Sequence, residues 1–159
     1  MRLFELFDKK ADWEWIKLTD AHAEAIITIG EQRYEVTIEE DDANHLVAGL
    51  KRHEEPIPKW LQMLTDDYEQ QLFNVVFRHV SKKQEINYEL TGLGQAYPVF
   101  ATMLDIMREY SKEFNVDWWT FSAKEPSRRS MYDRLASRFS GEVFTIADMD
   151  GDKIYVVKA

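Results

Sequence analysis

Residues 85–123 read EINYELTGLGQAYPVFATMLDIMREYSKEFNVDWWTFSA, and their order decides the fold. Glu85 to Leu90 alternates polar and apolar side chains, as a half-buried strand does. Thr91-Gly92-Leu93-Gly94-Gln95-Ala96 is a glycine-bearing turn. From Pro98 to Phe114 the apolar residues Val99, Met103, Ile106, Met107, Tyr110 and Phe114 recur at helical spacing. Pro98 suits the first helical turn, where its missing N–H has no partner to lose. Val116 to Ala123, with Trp118, Trp119 and Phe121, reads as a buried strand. Strand, helix and strand at this spacing form a crossover unit. The strands 85–90 and 118–123 are therefore expected to run parallel with a right-handed connection.

Working outward, Leu72 to Val80 is a strand rich in β-branched and aromatic residues. Pro126 to Phe139 is a second helix with Met131, Leu135 and Phe139 as its apolar stripe. Glu142–Ala147 and Lys153–Val157 are strands joined through Met149-Asp150-Gly151-Asp152, a strong hairpin signal. Towards the N-terminus, Trp13–Leu18, Ala23–Ile29 and Arg33–Glu39 read as strands, with a hairpin break at Gly30-Glu31-Gln32. In Arg33–Glu39 one face carries Tyr34, Val36 and Ile38 and the other carries charge. Asp41 or Asp42 caps a short helix through Leu50, Pro56 and Pro58 interrupt it, and Trp60, Leu61 and Leu64 mark further helical turns. The expected fold is one α/β (α+β) domain over 1–159. It has a mixed, mostly antiparallel sheet of six to seven strands and two main helices. Residues 1–71 form a divergent N-terminal part and 72–159 the core.

The 159 residues suit a single domain, and 45% hydrophobic content is ample for a packed core. No cysteine is present, which excludes disulfides, thiolate metal sites and a cysteine nucleophile. No apolar run approaches the roughly 18–20 residues that span a bilayer. The first ten residues lack a signal peptide's apolar stretch, so the expected location is the cytoplasm. A net charge of −9 argues against direct binding along a phosphate backbone, which needs a basic patch. Acidic residues are dense from Glu31 to Glu69, notably Glu39-Glu40-Asp41-Asp42, whereas Arg128, Arg129, Arg134 and Arg138 gather later. Solubility accounts for the charge; so does an acidic surface that engages a protein partner or mimics nucleic acid.

A glycine turn that opens a helix offers backbone N–H groups and the positive end of the helix dipole to a phosphate. Gly92 and Gly94 permit close backbone approach there, although such turns also carry glycine for geometry alone. Tyr132 lies on an amphipathic helix, where a core-edge role is the plain alternative. Glu85, Asn87 and Glu89 share one strand face. Arg128 and Arg129 suit a phosphate, or pair with Glu125 and Asp133 in solvent. His22, His45 and His53 show no metal-ligand spacing. No Walker-type loop, Gly-x-Ser-x-Gly elbow or His-Glu-x-x-His stretch occurs.

Over residues 72–159 this pattern resembles the GNAT acyltransferase superfamily, whose signature is Gln/Arg-x-x-Gly-x-Gly/Ala at the start of the CoA-binding helix. The matching stretch is Glu89-Leu90-Thr91-Gly92-Leu93-Gly94, with both glycines in place and Glu89 departing from the Gln or Arg. The helix Pro126–Phe139 is similar to the family's tyrosine-bearing helix, and the final hairpin to its last two strands. The resemblance implies acetyl-CoA as acyl donor and an amine acceptor. It assigns the pyrophosphate to Gly92, Leu93, Gly94, Gln95 and Ala96, with Arg128 beside it, and implies no metal. Tyr132 then protonates the departing thiolate, and a carboxylate such as Glu85 assists deprotonation of the amine, with His79 on the neighbouring strand as a second candidate base. The first 70 residues depart from the family, which has one strand and two helices there. The combination also resembles small proteins of tailed phages. That resemblance implies a non-catalytic alternative in which the acidic half binds a host protein in the host cytoplasm.

Overall fold

A computed structural model describes residues 11–67, 70–80, 86–87, 96–123, 126–138, 143–149 and 152–159. The strands are β1 (Asp12–Leu18), β2 (His22–Ile29), β3 (Gln32–Asp41), β4 (Leu72–Val80), β5 (Ile86–Asn87), β6 (Trp118–Ala123), β7 (Val143–Met149) and β8 (Asp152–Lys158). The helices are α1 (Ala43–Arg52), α2 (Lys59–Asp66), α3 (Ala96–Glu113) and α4 (Pro126–Ser137). The architecture is the mixed α/β class expected from the periodicities. Two compact units interleave along the chain: Met1–Ile38 with Val75–Phe114, and Glu39–Asn74 with Asn115–Ala159.

In the first unit the hydrogen-bonded order is β1-β2-β3-β4, with β5 pairing β4. β1 and β2 are antiparallel from Asp12↔Thr28 to Leu18↔Ala23, with a register shift between Trp15 and Lys17. Ile16 is the extra residue of that bulge, on the face that Asp12 and Glu14 also leave exposed. Gly30, at φ +58°, turns the chain from β2 into β3. Tyr34, Val36 and Ile38 are buried, as the period-2 pattern of β3 requires. Helix α3 presents Val99, Met103, Ile106, Met107 and Tyr110 to the core, all fully buried. Phe100 meets Phe77 of β4 edge-on, with ring centroids 5.4 Å apart. Thr102 bonds back to the Pro98 carbonyl at 2.7 Å and accepts from the Ala11 N–H at 2.8 Å, so its buried hydroxyl is satisfied. Tyr110 Oη donates to the Thr19 carbonyl, and Trp13 Nε1 to Asp105, each at 3.0 Å.

In the second unit the order is β4-β6-β8-β7. β4 pairs parallel with β6 at Leu72↔Trp118, Phe73↔Trp119 and Asn74↔Thr120. β6 with β8, and β8 with β7, are antiparallel. The Met149↔Asp152 pair at the end of β7 and β8 places the tip where the hairpin signal put it, although residues 150–151 lie outside the described set. Trp118 joins Leu46, Leu50, Leu61, Leu72 and Val156 in a core roofed by α1 and α2. Its indole Nε1 donates to Gln70 Oε1 at 3.0 Å. Trp119, its neighbour in the strand, packs against Phe73 instead. Asp42 caps α1 by accepting from the Asn44 N–H at 2.9 Å, and Lys51 and Arg52 complement the dipole in its last turn.

One expectation is corrected. The parallel partner of 118–123 is β4, and β5 pairs antiparallel with β4 through His79↔Asn87 and Val80↔Ile86. A strand with neighbours on both sides and both faces covered needs a nearly continuous apolar run. Leu72–Val80 supplies one, whereas the stretch from Glu85 carries a polar residue at every second position.

Leu61 is fully buried in the α1/α2 core. Leu61→Ala is expected to lower unfolding stability by about 2–5 kcal/mol. Asp42→Ala, which removes only the cap, is expected to cost about 1 kcal/mol. Urea denaturation followed by circular dichroism measures both; equal effects from the two variants would contradict this packing.

Candidate functional site

The glycine turn and its neighbours decide the ligand in the sequence reading, and most of them lie outside the described residues. Glu85, Glu89, Gly92, Leu93, Gly94 and Gln95 are in that group. Ala96 is the first residue of α3 and Arg128 lies in the first turn of α4; their side chains are likewise outside the description. What the structure adds is where α3 begins: at Ala96, directly after the turn.

Tyr132 is described, on α4 in the second unit. It is only 3% exposed. Its ring stacks on Phe121 of β6 at 5.1 Å and 29°, and Phe121 stacks in turn on Tyr155 of β8 at 5.2 Å and 17°. Phe121 and Tyr155 are direct cross-strand partners, so the pleat sets their spacing. Tyr155 Oη donates to Asp133 Oδ1 at 2.6 Å, tying β8 to α4 one residue beyond Tyr132. The phenol of Tyr132 is thus held in one plane by packing on both its strand neighbour and its helix.

The carboxyl end of β4, in the first unit, carries two polar groups on opposite faces. Arg78 forms an ion pair with Glu35 of β3. His79, 7% exposed, has Nε2 2.7 Å from Gln32 Oε1, and its ring lies 5.1 Å from that of Tyr34.

A cavity of about 830 Å³ opens in the second unit. Glu40, Asp41, Asp42 and Asp67 line it, with His45 beside them and Leu64 and Leu72 as apolar wall. Asp41 is anchored from below. Asn74 Nδ2 donates to Thr120 Oγ1 at 2.9 Å, and Thr120 Oγ1 donates to Asp41 Oδ2 at 3.3 Å. His45 Nδ1 sits 3.7 Å from Asp41 Oδ1, one helical turn on. The sequence reading noted the acidic run but missed this network. Its signal was present: Asn74 and Thr120 are polar residues inside otherwise apolar strands, and buried polar groups require partners. Among the described residues no group of three or more histidine, aspartate or glutamate side chains is placed to hold a metal ion. No described helix is long and apolar enough to cross a membrane.

No family model matches the chain, and no curated protein matches it. Among solved structures it is similar to FeeM, an N-acyl amino acid synthase from uncultured soil microbes. The identity is 14%, the match covers 88% of this chain and 68% of that one, and the TM-score is 0.45. A likeness so loose carries neither fold nor activity across.

Thr120→Val keeps the shape of the buried side chain but removes the hydroxyl that links Asn74 to Asp41. The expected cost is about 1–3 kcal/mol, because a partly buried amide and carboxylate lose their shared partner. A urea midpoint equal to that of the parent chain would show that the network does not form in solution.

Proposed function

We propose that this protein transfers an acyl group from acyl-CoA to an amine. The observation that carries the reading is that α3 starts at Ala96, immediately after Gly92 and Gly94, in the connection from β4 to its parallel neighbour β6. A helix N-terminus reached through glycine suits a pyrophosphate, because its first N–H groups have no intrahelical acceptor and its dipole favours negative charge. The backbone of Gly92 to Ala96 holds the pyrophosphate in this reading, with Arg128 beside it. Acetyl-CoA is the donor taken from the resemblance.

The chemistry asked of the chain is modest. The amine nitrogen attacks the thioester carbonyl, a C–N bond forms and the C–S bond breaks. Tyr132 gives its phenolic proton to the departing thiolate, and the stacking on Phe121 supports that role by holding the ring in one plane. A base on the strand side, Glu85 in the sequence reading, takes the proton of the amine.

A second reading is favoured by the cavity in the second unit. Four carboxylates around one opening, among them the anchored Asp41, suit a basic segment of a protein partner. In that reading the protein is a non-catalytic binder, of a host protein if it is encoded by a phage.

Isothermal titration with acetyl-CoA separates the two. The expected result is micromolar binding, on the order of −8 kcal/mol. Gly94→Glu abolishes it by setting a carboxylate against the pyrophosphate, and Tyr132→Phe spares it while stopping transfer. No heat and no thermal shift at millimolar acetyl-CoA would remove the acyl-transfer reading and leave the acidic surface as the site to pursue by pull-down.

A further inference from the structure

β1 ends the sheet of the first unit. Among the described residues it has a strand neighbour on one side only, β2, so its other side presents a row of backbone N–H and C=O groups. Four large apolar side chains stand exposed among the described residues, and two of them are on this strand: Ile16 at 55% and Leu18 at 40%. A bare edge that carries exposed apolar residues is a template for a further strand.

The bulge decides which strand fits. Residues directly opposed in an antiparallel pair share a face of the sheet. Trp13, Trp15 and Leu18 oppose Ile27, Ala25 and Ala23, which are fully buried. These three residues of β1 therefore share the side that α3 covers, where Trp13 bonds to Asp105 and Trp15 packs near Tyr110. Glu14 and Lys17 oppose Ile26 and Glu24, and so share the other side. Without the extra residue Ile16, positions 14 and 17 would point to opposite faces.

A second β1 laid antiparallel on this edge, about a two-fold axis at Trp15, finds a complementary residue at each position. The bulge takes one step, as it does opposite β2, where Trp15 and Lys17 face the consecutive residues Ala25 and Glu24. Trp15 then meets Trp15 at the axis. Glu14 of each copy opposes Lys17 of the other on one face, and Trp13 opposes Leu18 on the other face. Each pair occurs twice, as an isologous interface requires. A parallel, in-register copy would instead set Glu14 against Glu14. We propose that two copies of this chain join edge to edge through β1, antiparallel and centred on Trp15. The pairing needs no ligand and is independent of the acyl-transfer reading.

Sedimentation equilibrium on the full chain, from micromolar to millimolar concentration, is expected to show the 18.8 kDa monomer passing into a species of twice that mass. Glu14→Lys and Lys17→Glu each replace two opposite-charge pairs by two like-charge pairs, so each should raise the dimer dissociation constant about 10- to 100-fold. An equimolar mixture of the two variants restores both opposite-charge pairs and should associate as the unaltered chain does. That rescue separates an interface from a folding defect, because a misfolded variant gains nothing from the other. Circular dichroism checks the fold of each. If either variant misfolds, amide exchange on the unaltered chain carries the test: the amides of residues 12–18 should gain protection as protein concentration rises. A chain that stays monomeric at millimolar concentration overturns the proposal. So do single reversals that leave the dimer intact, a mixture that fails to associate although both variants fold, or β1 amides whose exchange ignores concentration.

Discussion

The parallel register between the start of β4 and β6 is the constraint on which the second unit depends. It sets Leu72 beside Trp118, Phe73 beside Trp119 and Asn74 beside Thr120. Because side chains alternate across a strand, successive pairs serve opposite faces. Leu72 and Trp118 close the core under α1 and α2, while Phe73 and Trp119 pack on each other on the other face. The third pair adds direction: the Asn74 amide reaches both the hydroxyl and the carbonyl of Thr120. A slip of one residue would set Asn74 against an aromatic neighbour and leave its amide buried without a partner. Asp41, at the end of β3, then takes its place from the same threonine.

β4 is also the strand the two units share, with residues 72–74 in one and 75–80 in the other. Its composition changes along its length accordingly. The beginning is apolar with one amide, the middle is Val75 and Phe77, and the carboxyl end carries Arg78 and His79. A polar end on a buried strand requires compensation, and β3 provides it. Glu35 pairs with Arg78 on one face, and Gln32 meets His79 on the other. Packing and polar pairing thus divide the strand between them, the apolar start fixing register and the polar end bonded to β3.

Much of the fold was legible in the chain. Tyr34, Val36 and Ile38 announced β3 because a half-buried strand leaves a period-2 trace. The stripe from Val99 to Tyr110 announced α3 because one helix face is fully buried. The cap at Asp42 was legible because helix ends have local chemistry. What failed was strand pairing: the alternation beginning at Glu85 looked like the partner of β6, and the partner is β4. Pairing depends on residues far apart in sequence, and no local period records it. The same holds for the candidate site. The glycine turn and Tyr132 stood out in the sequence, but the stacking of Tyr132 on Phe121 and Tyr155 joins three separate elements. The network from Asn74 through Thr120 to Asp41 joins three more.

The amino-acid sequence by itself determined the elements, their class and their apolar faces, because periodicity, caps and turn residues act over a few residues. It also placed two glycines before a long helix, which is a statement about backbone freedom at one point of the chain. Tertiary structure alone decided which strand lies beside β6, which tyrosines stack on Phe121, and which side chains of β3 meet the polar end of β4. Those outcomes arise from register and burial. Both depend on the joint packing of distant segments, so no single segment carries them.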